Sequence, residues 1–203
     1  MLYDFGTDTL YETEHDAGSV ALKTERLVLR PPVAADSKAI ARLANDRRIA
    51  DNLRRLPHPY SRADAEAFLD YLARANQETV FLIEAEGMPC GMIGLDFGNE
   101  DGPEIGYWLG VAHWGAGFAT EAVRAVIDYA FEEHAIDELF GGARVTNPAS
   151  RRVLEKCGFQ WTGVQLYRFV ALGSSTPVDR FKLNRGIWQS LKAWGQSHAR
   201  RLS

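Results

Sequence analysis

Hydrophobic and polar positions change period along this chain, from about two to about 3.6 and back, as they do where strands and helices alternate. Residues 22–30 (LKTERLVLR) alternate toward their end, with Leu27 and Leu29 on one face, and Pro31-Pro32 closes the segment. Asp36 then stands as the cap of a helix with Ile40, Leu43 and Ala44 in phase. Residues 47–60 are basic and carry two prolines, which predicts a loop or a broken helix. Ser61 opens a clearer helix, with Ala65, Phe68, Leu69 and Leu72 on one stripe. Residues 80–83 (VFLI) and 92–95 (MIGL) predict a hairpin turning at 86–89 (EGMP).

The second half reads as strand, helix, strand, helix and closing hairpin. Residues 104–111 (EIGYWLGV) place Ile105, Tyr107, Leu109 and Val111 on one strand face. Residues 118–134 have helical phase through Ala119, Ala122, Val123, Val126, Ile127 and Ala130. A strand follows at 139–145, then a short helix opened by Pro148 and stopped at Gly158. A strand starts at 159–164, a loop is expected at 173–177 (GSSTP), and 180–184 predicts the last strand. Ile187, Leu191 and Trp194 predict a final amphipathic helix. The fold class is therefore α/β, with a central mixed, mostly antiparallel sheet flanked by helices. The strand–helix–strand unit over 104–145 requires one parallel pair.

The chain has 203 residues, 46% hydrophobic and 25% charged, which fits one domain with short additions. Residues 1–21 are acidic and aperiodic and are expected to be an N-terminal extension; 22–185 form the domain, and 186–203 the C-terminal helix and tail. A net charge of −4 gives no basic face for a nucleic acid backbone. No apolar run reaches membrane-spanning length, and Met1-Leu2-Tyr3-Asp4 does not begin a signal peptide, so a cytoplasmic protein without membrane partners is expected. Cys90 and Cys157 have no CxxC spacing, and the five histidines are scattered without metal-ligand spacing.

Candidate chemistry concentrates in His113-Trp-Gly-Ala-Gly-Phe-Ala-Thr-Glu121, where a strand ends, two glycines follow and a helix begins. Glycines let the backbone approach a ligand, and the first helical turn offers unpaired N–H groups to a phosphate. A tight turn needing glycine for geometry alone is the other reading. A P-loop is excluded, because no Gly-Lys-Ser/Thr follows. A dinucleotide fingerprint is excluded by Thr120 at the third glycine position.

Trp114-Gly-Ala-Gly-Phe-Ala119 resembles the acyl-CoA loop of the GNAT superfamily, Gln/Arg-x-x-Gly-x-Gly/Ala, with Trp114 where Gln or Arg is usual. Asn147-Pro-Ala-Ser150-Arg-Arg-Val-Leu154-Glu-Lys-Cys-Gly158-Phe159 is similar to the pattern Asn-x-x-Ser-x-x-x-Leu-x-x-x-Gly-Phe. That pattern belongs to the branch of the ribosomal-protein N-terminal alanine and serine acetyltransferases. The resemblance covers residues 22–185 and implies a parallel strand pair that splays to admit acetyl-CoA.

It also implies site residues. Backbone groups of Leu109, Gly110 and Val111 would meet the pantetheine arm and thioester, and in the cofactor-binding loop that Trp114 opens, the amides of Gly115, Ala116, Gly117, Phe118, Ala119 and Thr120 would take the pyrophosphate. Asn147 would orient the pantetheine amide, with an Asx-turn as its other reading, and Arg151, beside Arg152, would meet a CoA phosphate or solvent. Many members carry an acidic tyrosine seven residues after the motif asparagine, where this chain has Leu154. Ser150 is then the donor to the leaving thiolate, unless it merely caps its helix. Glu104 is the candidate base, or else a solvated strand-end charge. Some members of the branch carry a carboxylate in the stretch matching 164–171, which has none here. Tyr167 and His113 are secondary candidates. Arg47, Arg48, Arg54 and Arg55 either face an acidic acceptor or are surface charge, and Trp108, Trp161 and Trp188 fit the core or a subunit contact, a homodimer included.

The implied activity is acetyl transfer from acetyl-CoA to a primary amine, either a protein N-terminus or a small amine such as a polyamine, aminoglycoside or amino acid. A non-catalytic acyl-CoA-binding regulatory domain is the alternative of a different class.

Overall fold

A computed structural model describes residues 12–16 and 19–202, with side chains described for 20–194. The strands are β1 (Glu12–Asp16), β2 (Ser19–Lys23), β3 (Leu27–Arg30), β4 (Glu78–Ala85), β5 (Met88–Asp96), β6 (Glu104–Leu109), β7 (Glu138–Arg144), β8 (Gln160–Phe169) and β9 (Ser174–Asn184). The helices are α1 (Ser37–Ala44), α2 (Arg47–Ala50), α3 (Arg62–Leu72), α4 (Phe118–Glu133), α5 (Pro148–Lys156) and α6 (Arg185–Leu202). The strands form one sheet in the order β1-β2-β3-β4-β5-β6-β7-β9-β8. Every neighbouring pair is antiparallel except β6–β7. This is the mixed, mostly antiparallel α/β fold that the periodicity predicts.

Much of the extension expected over 1–21 lies outside the described residues. Its described part, Glu12–Asp16 with the start of β2, forms a hairpin on the edge of the sheet.

Alternation along the strands divides the core between two faces. On β4, Phe81 and Ile83 join the cluster covered by α4, with Val123, Val126 and Ala130, while Leu82 between them joins Ile40, Ala44, Ala65 and Leu69 of α1 and α3. Helix starts follow local chemistry. Ser61 and Asp64 form a reciprocal capping box on α3. Asp36 precedes α1 but makes no cap bond; its carboxylate takes the Arg30 guanidinium at 2.9 Å through both oxygens. The Arg185 guanidinium donates to the carbonyls of Phe131, His134 and Ile136 and so closes the C-terminal end of α4.

Two expectations are corrected. The strand at 104–111 stops at Leu109, and Val111–His113 makes a single 3-10 turn. The loop expected at 173–177 is strand: β9 begins at Ser174 and the chain turns at 170–173. Pro177 is tolerated because it lies beyond the last β7–β9 pair, Arg144↔Val178, where the strand has one neighbour.

Candidate active site

Strands β6 and β7 pair through Glu104↔Phe140 and Ile105↔Gly141 and then part. The gap floors a cleft of about 680 Å³. On its other side β6 stays in register with β5 as far as Gly91↔Leu109, and the Gly110 amide donates to the Cys90 carbonyl at 2.8 Å. N–H groups alternate in direction along an antiparallel strand. With Gly110 turned toward β5, the amides of Tyr107 and Leu109 face the gap. Gly110 is therefore a correction: its N–H is already used, and a Cβ there would lie 2.7 Å from Leu43 Cδ2. Leu109, Trp114, Gly115, Gly117, Phe118, Ala119, Thr120, Asn147 and Ser150 line the cleft, whereas Gly110, Val111, Ala116 and Arg151 do not.

Gly115 and Gly117 take φ of +79° and +85°, the left-handed region open to glycine. Gly117 is the N-cap of α4, and a Cβ on Gly115 would meet nothing within 4 Å, so backbone is presented bare to the cleft. The unpaired first-turn amides of α4 and the positive end of its dipole favour an anion there by about 0.3–1 kcal/mol. These features fit a pyrophosphate. Trp114 Nε1 donates to the Leu109 carbonyl at 2.8 Å and fastens the loop to β6. Arg26, which strand alternation gave no reason to single out, donates to the Ala116 carbonyl at 2.9 Å and to Glu121 at 2.7 Å. Ala116 thus contributes an anchor for the loop.

At the start of α5, the Asn147 side-chain oxygen accepts from the Ser150 amide at 3.2 Å. Asn147, not Ser150, is the helix cap. The Ser150 hydroxyl is released from that duty and lies 3.0 Å from the Tyr107 hydroxyl, which is also 3.2 Å from the Ser150 carbonyl. Burial pushes the Tyr107 hydroxyl well above the usual tyrosine range, so it stays protonated. Tyr107 was expected to pack as a core-face residue. The structure brings a tyrosine to Ser150 from β6, although position 154 holds leucine.

Arg151 is a further correction. Its guanidinium donates to Glu155 at 2.9 Å and to Asp179 at 3.2 Å, away from the cleft. The cations that line the cleft from α5 are Arg152 and Lys156.

Glu104 is buried, at 8% exposure, and is no solvated strand end. Its Oε1 accepts from Arg54 Nη2 at 3.0 Å and lies 3.1 Å from Arg180 Nη1, and Oε2 accepts from Asn99. Tyr167 lies under both guanidiniums, its ring centre 4.7 Å from Arg54 and 5.4 Å from Arg180. Glu104, Tyr167 and His113 all line the cleft. The other members of the basic cluster pair elsewhere: Arg47 with Asp51, Arg48 with Asp46 and Arg55 with Glu78.

Residues 26–160 match the Acetyltransferase (GNAT) domain. The chain belongs to the GNAT acetyltransferase family. It is 31% identical over 170 residues to the uncharacterized N-acetyltransferase p20 of Bacillus licheniformis, covering 80% of this chain and 94% of p20. Against two further curated relatives from Bacillus subtilis, the chain spans 33% and 42% of their length. The microcin C7 self-immunity acetyltransferase MccE, solved with acetyl-CoA and AMP, superposes with a TM-score of 0.69 at 18% identity, over 79% of this chain and 93% of MccE. The ribosomal L7/L12 α-N-protein acetyltransferase RimL, solved with coenzyme A, superposes equally, at 0.69 and 18%, over 79% and 95%. GNAT acetyltransferases take acetyl-CoA as donor. No helix among the described residues is long and apolar enough to cross a membrane.

Proposed function

We propose that this chain is an N-acetyltransferase in which a primary amine attacks acetyl-CoA directly within a ternary complex. The observation that carries the reading is the parting of β6 from β7, with a bare glycine loop at one end of the cleft and the Tyr107–Ser150 pair inside it. The amides of Tyr107 and Leu109 hold the thioester carbonyl, where negative charge develops as the amine adds. The amine nitrogen bonds to the carbonyl carbon and the carbon–sulfur bond breaks. Ser150 donates a hydrogen bond to the leaving sulfur, and Tyr107 donates to Ser150. Glu104 receives the proton that the nitrogen sheds, through Oε2, which accepts from the neutral Asn99 amide while Oε1 lies between two guanidiniums. Asn147 turns its amide N–H groups toward the pantetheine arm, and Arg152 and Lys156 meet the phosphates.

Calorimetry with acetyl-CoA, followed by CoA release against N-terminal peptides and small amines, tests the reading. Binding with turnover of an amine is expected. Folded protein that binds no acyl-CoA would overturn it. Binding with no turnover of any amine would point instead to a regulatory acyl-CoA-binding domain.

A further inference from the structure

On the Glu104 side, the cleft lining includes three arginines, Arg54, Arg144 and Arg180. Arg180, on β9 between β7 and the edge strand β8, has a side chain 6% exposed. Its terminal nitrogens lie 3.1 Å from Glu104 and 3.6 Å from Asp101, yet neither makes an aligned hydrogen bond among the described residues. Arg54 shares the same Glu104 oxygen. Arg144 donates to the Asp51 carbonyl at 2.6 Å and stacks over Phe169 at 5.6 Å, while its buried Nε has no hydrogen-bond partner among the described residues. All three guanidiniums line the cleft. One carboxylate, Glu104, lies buried between Arg54 and Arg180. Asp101 is half exposed and does not line the cleft, whereas Asp51 does, its buried Oδ1 3.6 Å from Arg47 and without a hydrogen-bond partner among the described residues. Three guanidiniums against Glu104 and Asp51 leave this part of the lining positive in a chain whose net charge is −4.

Buried guanidinium N–H groups without aligned acceptors are unfavourable unless a ligand completes them. Planar oxyanions do so well, since a carboxylate or phosphate accepts two parallel N–H bonds from one guanidinium. Resting on the acetyltransferase reading, we infer that the acceptor is an acidic amine, whose molecule carries a carboxylate or phosphate held by Arg144 and Arg180 while its nitrogen faces Glu104. The floor supports this placement. Gly142 lies beneath the pair, where a Cβ would come within 3.2 Å of Arg180 Nη1 and 3.7 Å of Glu104 Oε1. Gly106 is exposed on the strand between Glu104 and Trp108, with nothing within 4 Å of its Cβ position, which leaves room for the acceptor's body. A polyamine would bring cations to this end, where three arginines already stand.

Turnover is compared within pairs that differ in the anion: glycine with glycinamide, phosphoethanolamine with ethanolamine, and spermidine as the cationic control. A preference on the order of a hundredfold in kcat/KM for the anionic member of a pair is expected, as for a buried charge pair. The pair that shows it tells carboxylate from phosphate. Equal or faster turnover of the member lacking the anion in both pairs, or turnover of spermidine equal to that of the better anionic amine, would overturn the inference. A binding readout stands apart from turnover. Inorganic phosphate, and separately acetate, is titrated into protein saturated with CoA, so that the loop at α4 is filled. Binding that is lost in Arg144→Gln, with acetyl-CoA affinity unchanged, is expected; Arg180→Lys serves as a second variant because it keeps the buried charge. Failure of both phosphate and acetate to bind the CoA-loaded protein, or equal binding of the ion by Arg144→Gln, would also overturn the inference. Failure to bind acetyl-CoA would instead remove the acetyltransferase reading beneath it.

Discussion

Tyr107→Phe deletes one oxygen and keeps the ring, so it isolates what the hydroxyl contributes. That hydroxyl lies 3.0 Å from Ser150 Oγ and 3.2 Å from the Ser150 carbonyl. It has one proton to give. If the proton goes to the carbonyl, Ser150 must turn its own proton to Tyr107 and has none for the leaving sulfur. If it goes to Oγ, the Ser150 proton is free to point into the cleft. In the mechanism we propose the second arrangement is the productive one, and the variant removes the group that enforces it. Loss of a neutral hydrogen bond made in the transition state should raise the barrier by about 1.4–2.7 kcal/mol, a fall of roughly ten- to a hundredfold in kcat. Ser150→Ala should fall further, by about a hundredfold or more. Because the two hydroxyls act in series, the double variant should be no slower than Ser150→Ala alone. Folding stability should drop by about 1 kcal/mol, read from thermal melts. Acetyl-CoA affinity should hold, since the Tyr107 backbone amide is untouched. The assay is CoA thiol release at saturating amine, with calorimetry for acetyl-CoA. A Tyr107→Phe enzyme with unchanged kcat, or a double variant whose loss equals the product of the two single losses, would refute the relay.

Gly117→Ala forces a side chain into φ +85° with its Cβ 3.2 Å from Arg26 Nη2; it should cost about 1–2 kcal/mol of stability and weaken acetyl-CoA several-fold in calorimetry. Gly106→Val places a side chain on the cleft floor beside Glu104 and should raise KM for the amine while acetyl-CoA affinity stays the same; equal weakening of both ligands would contradict the division of the cleft. Burial pushes the Cys157 thiol up to about 12, so at pH 8 it is almost wholly protonated and iodoacetamide should not label it in folded protein. Mass spectrometry checks this, and labelling should appear once the chain is unfolded in denaturant.

How much of this was legible in the sequence depended on the range of the interaction. The β4–β5 hairpin follows from local alternation and from the Glu86-Gly87 turn, where both residues take positive φ. The loop at 114–117 was legible because glycine's freedom is a property of one residue. The Tyr107–Ser150 contact was not, because it joins residues 43 apart in the chain. Alternation correctly put Tyr107 with Ile105 and Leu109, but that face of β6 meets α5 as well as the core. The signal available was a hydroxyl in an otherwise apolar row. Arg151 and Arg152 show a second limit. Neighbours on a helix point about 100° apart, so a motif that ends in two arginines does not say which one reaches the ligand. Glu104 was located by its position on β6, yet its setting between Arg54 and Arg180 depends on a loop and on β9, which enters the sheet between β7 and β8. Strand order of that kind is fixed by packing across the whole sheet.

The cleft is a product of strand pairing, and that bears on how rigid the site is. β6 is held by β5 along its full length, from Asp96↔Glu104 to Gly91↔Leu109. β7 is held by β9 along its full length, from Glu138↔Asn184 to Arg144↔Val178. Each strand's outer edge is thus occupied, and the two inner edges meet at two residue pairs before they separate. α5 packs at that point: a Cβ on Gly141 would lie 3.1 Å from Leu154 Cδ2, so the helix rests directly on β7 backbone and delivers Ser150 to the opening. Closing the gap would require breaking one of the outer ladders or displacing α5. The amides of Tyr107 and Leu109 therefore face the cleft with no β7 partner opposite them among the described residues, and in the mechanism we propose they receive the thioester carbonyl. Donors fixed in advance need no reorganisation as charge develops, which is the condition under which they stabilise a transition state most.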